Sequence, residues 1–262
     1  MEVQVKLVAG RIAGFWALFT SFALMLLAVY RSRTTVPKIR PLAGLEAIEE
    51  AVGRATEMGK PVLFTPGYGD VAGTNAAPTI AGLDMLGYVG RLAARRDTKM
   101  AVTVGHPNTY AVALDVLRSA YMVEGRLDAL GDDAVTFGSE IQFAFTAHTL
   151  GRIQREKPAT CLFLGYFAAE AIIVAEAAVA AGSISIAGAT NHFQLPFFVA
   201  ACDYTLIGEE FLAAGAYVSN DPRRIGSIQG QDWVKAIAVI LAVIGVIMQA
   251  FGNKSMATWL GK

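Results

Sequence analysis

The chain has little of what most reactive centres are built from. Among its 262 residues are two cysteines and three histidines. No cysteine pair stands two residues apart, no histidine pair stands at helical spacing, no phosphate loop ends in Gly-Lys-Ser/Thr, and no Gly-x-Ser-x-Gly elbow occurs. These absences remove the common zinc, dithiol, nucleotide-triphosphate and serine-hydrolase arrangements. A basic stripe is also missing: the 22 basic and 22 acidic residues of the chain include 17 basic and 21 acidic between residues 31 and 233, a net −4 with no run of basic residues, which excludes nucleic acid as a partner. Cys161 and Cys202 have no neighbour that suggests a disulfide framework, in keeping with a reducing compartment. Both sit in apolar, strand-like runs, where a buried inert thiol is expected.

Charge is absent from two stretches in particular. Residues 12–30 and 236–253, 19 and 18 residues long, carry none, and each is near the ~20 residues a helix needs to cross about 30 Å of hydrocarbon. A cleaved signal peptide is the alternative for the first run. Its length, and the following Tyr30, Arg31, Ser32 and Arg33 in place of a small-x-small cleavage site, favour a membrane helix. Trp233 and Trp259 flank the second run at the level where indole rings settle. Arg31, Arg33, Lys38 and Arg40 follow the first run against Lys6 and Arg11 before it. Arg223, Arg224 and Lys235 precede the second against Lys254 and Lys262 after it. Both comparisons place the middle of the chain in the cytoplasm of a two-span cell-membrane protein.

The expected organisation is a tail and membrane helix over 1–30, a linker over 31–44 stiffened by Pro37 and Pro41, a cytoplasmic domain over 45–233, a second membrane helix over 234–253 and a tail over 254–262. Between residues 31 and 233, 38 of 203 positions are charged, about 19% against the roughly 25% of soluble domains. Such a domain has its sheet covered on both faces, or buries part of its exterior against copies of itself, other subunits or the bilayer.

Short apolar runs at 62–65, 100–104, 134–137, 160–164, 184–187 and 204–207 read as buried parallel strands. Helical patterns fill the gaps: Leu45, Ile48, Val52 and Ala55; Ile80, Leu83, Leu86, Val89 and Leu92; Tyr110, Leu114, Leu117 and Tyr121; Ile141, Phe145 and Ile153. His148 lies near this last face and is expected to pack in or beside the core. The alternation predicts one α/β domain with a doubly wound, mostly parallel, Rossmann-like sheet, flanked by the two membrane helices. A third membrane span over 159–182 is the competing reading, but Glu170 and Glu176 interrupt it and Gly165 divides it, so a strand followed by an alanine-faced helix is expected.

Each apolar run ends in glycine or Pro-Gly, followed by polar residues. In a parallel sheet these ends share one edge, where ligands of open α/β sheets bind. Asp70, Thr74, Asn75, His106, Ser139, Glu140, Glu170, Asn191, His192 and Glu209 are therefore expected near one crevice. His106, Glu140, His192 and Glu209 are the candidate acid, base or metal groups. For any single one of these acids, capping and the helix dipole are the stronger explanation. The run from Gly67 through Gly69 and Asp70 to Ala72 matches a dinucleotide fingerprint, so Gly67, Gly69, Asp70, Gly73, Thr74 and Asn75 are the candidate cofactor-binding residues. The loop continues to Pro78 where a working fingerprint opens its helix, and no acid ends the next strand. No cofactor is therefore assigned. His106 and His192 with Glu140 or Glu209 form the one conceivable metal set, but the histidines are unclustered and no metal is assigned.

The stretches Val62-Leu63-Phe64-Thr65-Pro66-Gly67 and Asp203-Tyr204-Thr205-Leu206-Ile207-Gly208-Glu209-Glu210, with Ala213-Ala214-Gly215-Ala216-Tyr217 behind the latter, carry a resemblance. Together with the first span and its basic, proline-containing linker, the chain resembles a family of uncharacterised prokaryotic membrane-anchored proteins classed only as a domain of unknown function. That resemblance implies the layout and supplies no activity. The expected role is a membrane-anchored binding or scaffold module, a homo-oligomer or a subunit of a membrane complex. The alternative is an enzyme acting on a small or membrane-derived substrate in the strand-end crevice.

Overall fold

The computed structural model describes residues 12–34, 43–219 and 221–251. Lys6, Arg11, Pro37, Lys38, Arg40, Pro41, Lys254, Trp259 and Lys262, which enter the expectations above, lie outside them. In chain order the elements are α1 (Ile12–Ser32), α2 (Ala43–Met58), β1 (Val62–Gly67), α3 (Ala76–Arg95), β2 (Met100–Val104), α4 (Pro107–Val123), a 3-10 turn (Leu127–Ala129), β3 (Val135–Phe137), α5 (Gln142–Glu156), β4 (Thr160–Tyr166), α6 (Glu170–Ala180), β5 (Ile184–Ala189), α7 (Leu195–Ala201), β6 (Tyr204–Ile207), α8 (Glu209–Ser219) and α9 (Pro222–Ala250). They fall into two compact units: residues 40–219, and the two terminal segments that carry α1 and α9.

In residues 40–219 the six strands form one parallel sheet in the order β3-β2-β1-β4-β5-β6. The chain builds outward from β1 to β3, returns to place β4 against the other side of β1, and then builds outward to β6. This is a doubly wound α/β fold with its reversal between β1 and β4. Alternating strand residues feed two cores. Phe64, Val102, Leu162, Leu164, Ile186 and Leu206 point to one face, where α2, α3, α4 and α8 cover them. Leu63, Cys161, Phe163 and Ala187 point to the other, under α5, α6 and α7. Each fully buried Leu, Ile or Phe contributes about 1.5–3 kcal/mol. On the second face Phe163, Phe167 and Phe198 pack together, with ring centroids 5.1 to 6.3 Å apart.

Local chemistry sets the boundaries. In α2, Leu45, Ile48, Val52 and Ala55 are buried while Glu46, Glu49, Glu50 and Glu57 face outward, and Gly59 ends the helix in a left-handed conformation at φ +61. Pro107 opens α4 at a position where a missing N–H costs nothing. The apolar segment 159–182 divides into β4 and α6, and α6 lays Ala171, Val174, Ala175 and Ala178 into the core. Two expected face residues differ. Ile80 is 41% exposed and Ile141 is 70% exposed, because the buried stripe of α3 passes beside Ile80, and Ile141 sits ahead of the first turn of α5 in extended backbone.

In the other unit, α1 and α9 pack against each other in opposite directions. Gly226 sits against Ala28 and Ser32, and Gly230 against Met25 and Ala28, so closely that an added methyl group on either glycine would overlap α1. Small residues permit this approach. Both helices are long and apolar enough to cross a membrane. Asp221 accepts the Arg223 N–H at 2.9 Å and caps α9, with Pro222 in its first turn. The helix thus starts well upstream of the uncharged run.

Candidate functional site

The reversal between β1 and β4 opens the strand C-terminal edge, and the first question is what fills it. After Thr65 the β1 strand bulges and stays paired to β4, with Gly67 opposite Tyr166. The Thr65 hydroxyl accepts the Gly67 N–H at 3.0 Å, and the Tyr68 N–H donates to the Tyr166 carbonyl at 3.0 Å. Gly67 has φ +80, and a Cβ there would lie 1.9 Å from the Tyr166 oxygen. At Gly69 a Cβ would meet the Thr79 hydroxyl at 2.0 Å. Both glycines of the fingerprint therefore serve close protein packing, and α3 begins only at Ala76. Gly73 and Thr74 are exposed, and Asn75 precedes α3 without a side-chain capping bond.

The loop after β1 is tied to its neighbours. Asp70 accepts the Ala72 N–H at 3.2 Å and both carboxylate oxygens accept from the Asn108 amide, at 3.2 and 3.3 Å. The Ala72 N–H above all, with Asn108 and the nearby His106 adding to it, holds this carboxyl below its usual range against a smaller opposing effect of burial. His106 Nδ1 stands 3.8 Å from Asp70 and is buried without a hydrogen-bond partner. The Thr109 hydroxyl donates to the Gly69 carbonyl at 2.9 Å.

The connection from β3 to α5 crosses toward the same edge. The Tyr68 hydroxyl donates to the Glu140 carbonyl, and the Tyr68 ring lies 6.4 Å from that of Phe145. Ser139 accepts the Ile141 N–H in a local turn, while the Glu140 side chain is exposed. Gln142 donates to Glu170, which is fully buried at the start of α6 and also accepts its own loop's Ala168 N–H at 3.0 Å. Asn191 reaches the Phe167 carbonyl at 3.5 Å and turns its own loop by accepting the Phe193 N–H. His192 and Glu209 are exposed at the ends of β5 and β6. With strands about 4.8 Å apart, the His106 strand lies about 14 Å from the strand of His192 and about 19 Å from that of Glu209.

The sequence-predicted residues thus come together in three small groups: Asp70 with His106; the Glu140 main chain with Tyr68; and Glu170 beside its own loop. Asn108, Tyr68 and Gln142, which complete these groups, were not anticipated. The Pro107-Asn108 start of α4 directly after a strand end was the available signal for Asn108. Among the described residues, no three of His, Cys, Asp and Glu come together to hold a metal ion.

A second polar cluster lies on the α5 face of β2 and β3. Arg152 is buried and donates to Glu156 at 2.6 Å, to the Val102 carbonyl at 3.2 Å and to the Thr136 hydroxyl at 3.0 Å. Thr136 also meets His148 Nε2 at 3.0 Å. Burial foremost, then the nearby Arg152, pushes the His148 pKa down. A cavity of about 440 Å³ adjoins this cluster at the strand N-terminal edge, lined by Lys99, Met100, Tyr121, Leu130, Arg152 and Glu156 among others. It lies at the edge opposite the expected crevice. Cys161 and Cys202 are free thiols, and burial pushes each up to about 12.

Fold and site together define an α/β protein of doubly wound topology, bearing at each end a helix long and apolar enough to cross a membrane. A family model described as a domain of unknown function, DUF6754, matches residues 6–260, and the chain belongs to that family. No curated protein and no solved structure matches it.

Proposed function

We propose that this protein is a binding or scaffold module anchored in the cell membrane by α1 and α9, with its α/β domain in the cytoplasm, working as a homo-oligomer or as a subunit of a membrane assembly. One observation carries the reading. At the strand C-terminal edge Asp70, Glu170 and Asn191 are spent on bonds to neighbouring loops and helix starts, and large apolar side chains stand in the open beside them. Phe193 is 84% exposed, and Ile141, Phe143, Phe197 and Ile207 are exposed on the same edge. An edge that presents this many large apolar side chains, and scatters its exposed polar ones, suits contact with another protein better than capture of a small polar substrate. The membrane placement is supported by the uncharged runs 12–30 and 236–253, and the cytoplasmic side by the basic residues next to them.

Native mass spectrometry of the protein extracted from its own membrane in mild detergent tests this. A defined multimer or hetero-complex without added small mass is the expected result. A monomer that carries a stoichiometric metabolite would overturn it in favour of the second reading, an enzyme at the β1–β4 edge. One feature favours that alternative: the unpartnered His106 Nδ1 beside Asp70, the usual pairing of a general base with the group that orients it.

A further inference from the structure

The sheet ends at β6, and among the described residues no strand pairs its outer side. A strand turns its N–H and C=O groups to both flanks, so β6 presents an open half-ladder there. Folded proteins guard such edges with charge, proline, bulges or shortness. The opposite edge follows that rule: β3 has three residues, with Asp132 and Asp133 just ahead of it. The β6 edge does not. Tyr204-Thr205-Leu206-Ile207 holds neither a charge nor a proline, and of residues 193–208 only Asp203 is charged. Its carboxylate is spent on β5, accepting the Ser185 N–H at 2.8 Å and the Ser185 hydroxyl at 3.1 Å.

Helix α7 extends this border. It packs on α6 and β6, burying Leu195 and Phe198 and leaving Phe197 and Val199 in the open. With Phe193, Tyr204 and Ile207, these side chains expose between 42 and 84% of their surface. At about 150–250 Å² for a whole aromatic side chain, the five present roughly 500 Å². A standard interface takes about 800 Å² from each partner, so this border supplies more than half of one. The edge is also its own complement. A second copy turned about a two-fold axis perpendicular to the sheet lays its β6 antiparallel to the first, and both half-ladders close. That axis keeps each face of the sheet continuous, so residues opposite each other must point to the same side. Leu206 points to the core under α2 and α8, which leaves Thr205 and Ile207 on the α7 side. Thr205 therefore meets either Thr205 or Ile207 of the second copy. The latter register would set Asp203 opposite Glu209, two like charges, whereas the former sets Asp203 opposite Ile207.

We infer that β6 and α7 form a two-fold interface with a second copy of this chain, the two β6 strands pairing antiparallel with Thr205 at the axis and the two α7 helices flanking the seam. This rests on the oligomeric binding-module reading above, and it names the partner and the surface.

The test uses the full-length protein in isolated membranes. Thr205→Cys, oxidised with copper phenanthroline, is expected to give a disulfide-linked band at twice the 27.8 kDa chain mass, because opposite Cα atoms of antiparallel strands stand about 4.5–5.5 Å apart. Ile207→Cys is expected to give none, its two copies lying about 14 Å apart along the strands, and neither is the wild type. Thr205→Lys sets two ammonium groups at the axis. It is expected to lower the dimer fraction in native mass spectrometry by about tenfold or more, with circular dichroism showing the domain still folded. No cross-link at Thr205, equal cross-links at both sites, or a multimer that Thr205→Lys leaves intact would overturn the inference. So would a hetero-complex with one copy of this chain, although the binding-module reading would then stand. A monomer that carries a stoichiometric metabolite would overturn that reading too.

Discussion

Gly59 and Gly67 have the same backbone sign and opposite surroundings, which makes them a matched pair. Their φ values are +61 and +80, yet nothing lies within 4 Å of a Cβ built on Gly59, while one on Gly67 lies 1.9 Å from the Tyr166 oxygen and 2.8 Å from its carbon. Alanine at either site costs about 1–2 kcal/mol for left-handed backbone. The loss is partly offset by the reduced freedom of the unfolded chain, by about 0.4–1 kcal/mol. At Gly67 the clash with main chain adds about 1–3 kcal/mol, because β1 and β4 must part at their ends. The Tyr68 to Tyr166 hydrogen bond is then lost as well. In a domain of this size 1 kcal/mol corresponds to about 2–4 °C in Tm. Gly67→Ala is expected to lower the Tm of the α/β domain, followed by circular dichroism in detergent, by about 5–15 °C, and Gly59→Ala by only a few degrees. Equal losses at the two sites would refute the argument that Gly67 exists for contact between β1 and β4, and would return it to the list of ligand-binding glycines.

Arg152→Met removes the donor shared by Val102, Thr136 and Glu156 and is expected to cost about 2–4 kcal/mol in urea unfolding; a neutral result would mean that the guanidinium is dispensable to the fold. The lowered His148 pKa makes the folded protein bind fewer protons than the unfolded chain below the ordinary value of 6.5. The associated stability is fully present above pH 6.5 and falls as pH drops below it. His148→Gln, which can still bond Thr136, is expected to flatten that part of the acid limb between pH 7 and 5, and an unchanged profile would contradict it. Cys161 and Cys202, with thiols pushed up to about 12 by burial, are expected to resist iodoacetamide at pH 8 in the native protein. Both should label on unfolding, as intact mass will show; rapid native labelling at Cys161 would place that thiol outside the core.

The sequence predicts two strands to the residue, Met100–Val104 and Tyr204–Ile207. Others run past the glycines that were expected to end them. Pro66-Gly67, Gly165-Tyr166 and Gly188-Ala189 remain in the sheet. Glycine reads as punctuation in a sequence, but here it lets neighbouring strand ends close together. The strand-end polar residues were legible as a set because a parallel sheet gathers them on one edge. Their grouping was not, since Tyr68 with Glu140 and Gln142 with Glu170 join residues 72 and 28 positions apart. Arg152 was missed for another reason. It shares a helix face with Phe145, Thr149 and Ile153, all buried, yet an arginine counts as surface in any hydropathy pattern.

Placing β4 beside β1 has a consequence for how the chain is made. Val62 pairs with Thr160, 98 residues later, so β1, the middle of the finished sheet, leaves the ribosome long before its second neighbour exists. For that interval its β4 side is an open edge of Val62, Leu63 and Phe64, able to pair with any other extended chain. Translation at about 5–20 residues per second makes the wait several seconds or more. The α5 helix, made just before β4, is the last element to appear before that edge can close. A nascent chain halted between α5 and β4 is therefore the point in biosynthesis where this fold is most exposed to misassembly.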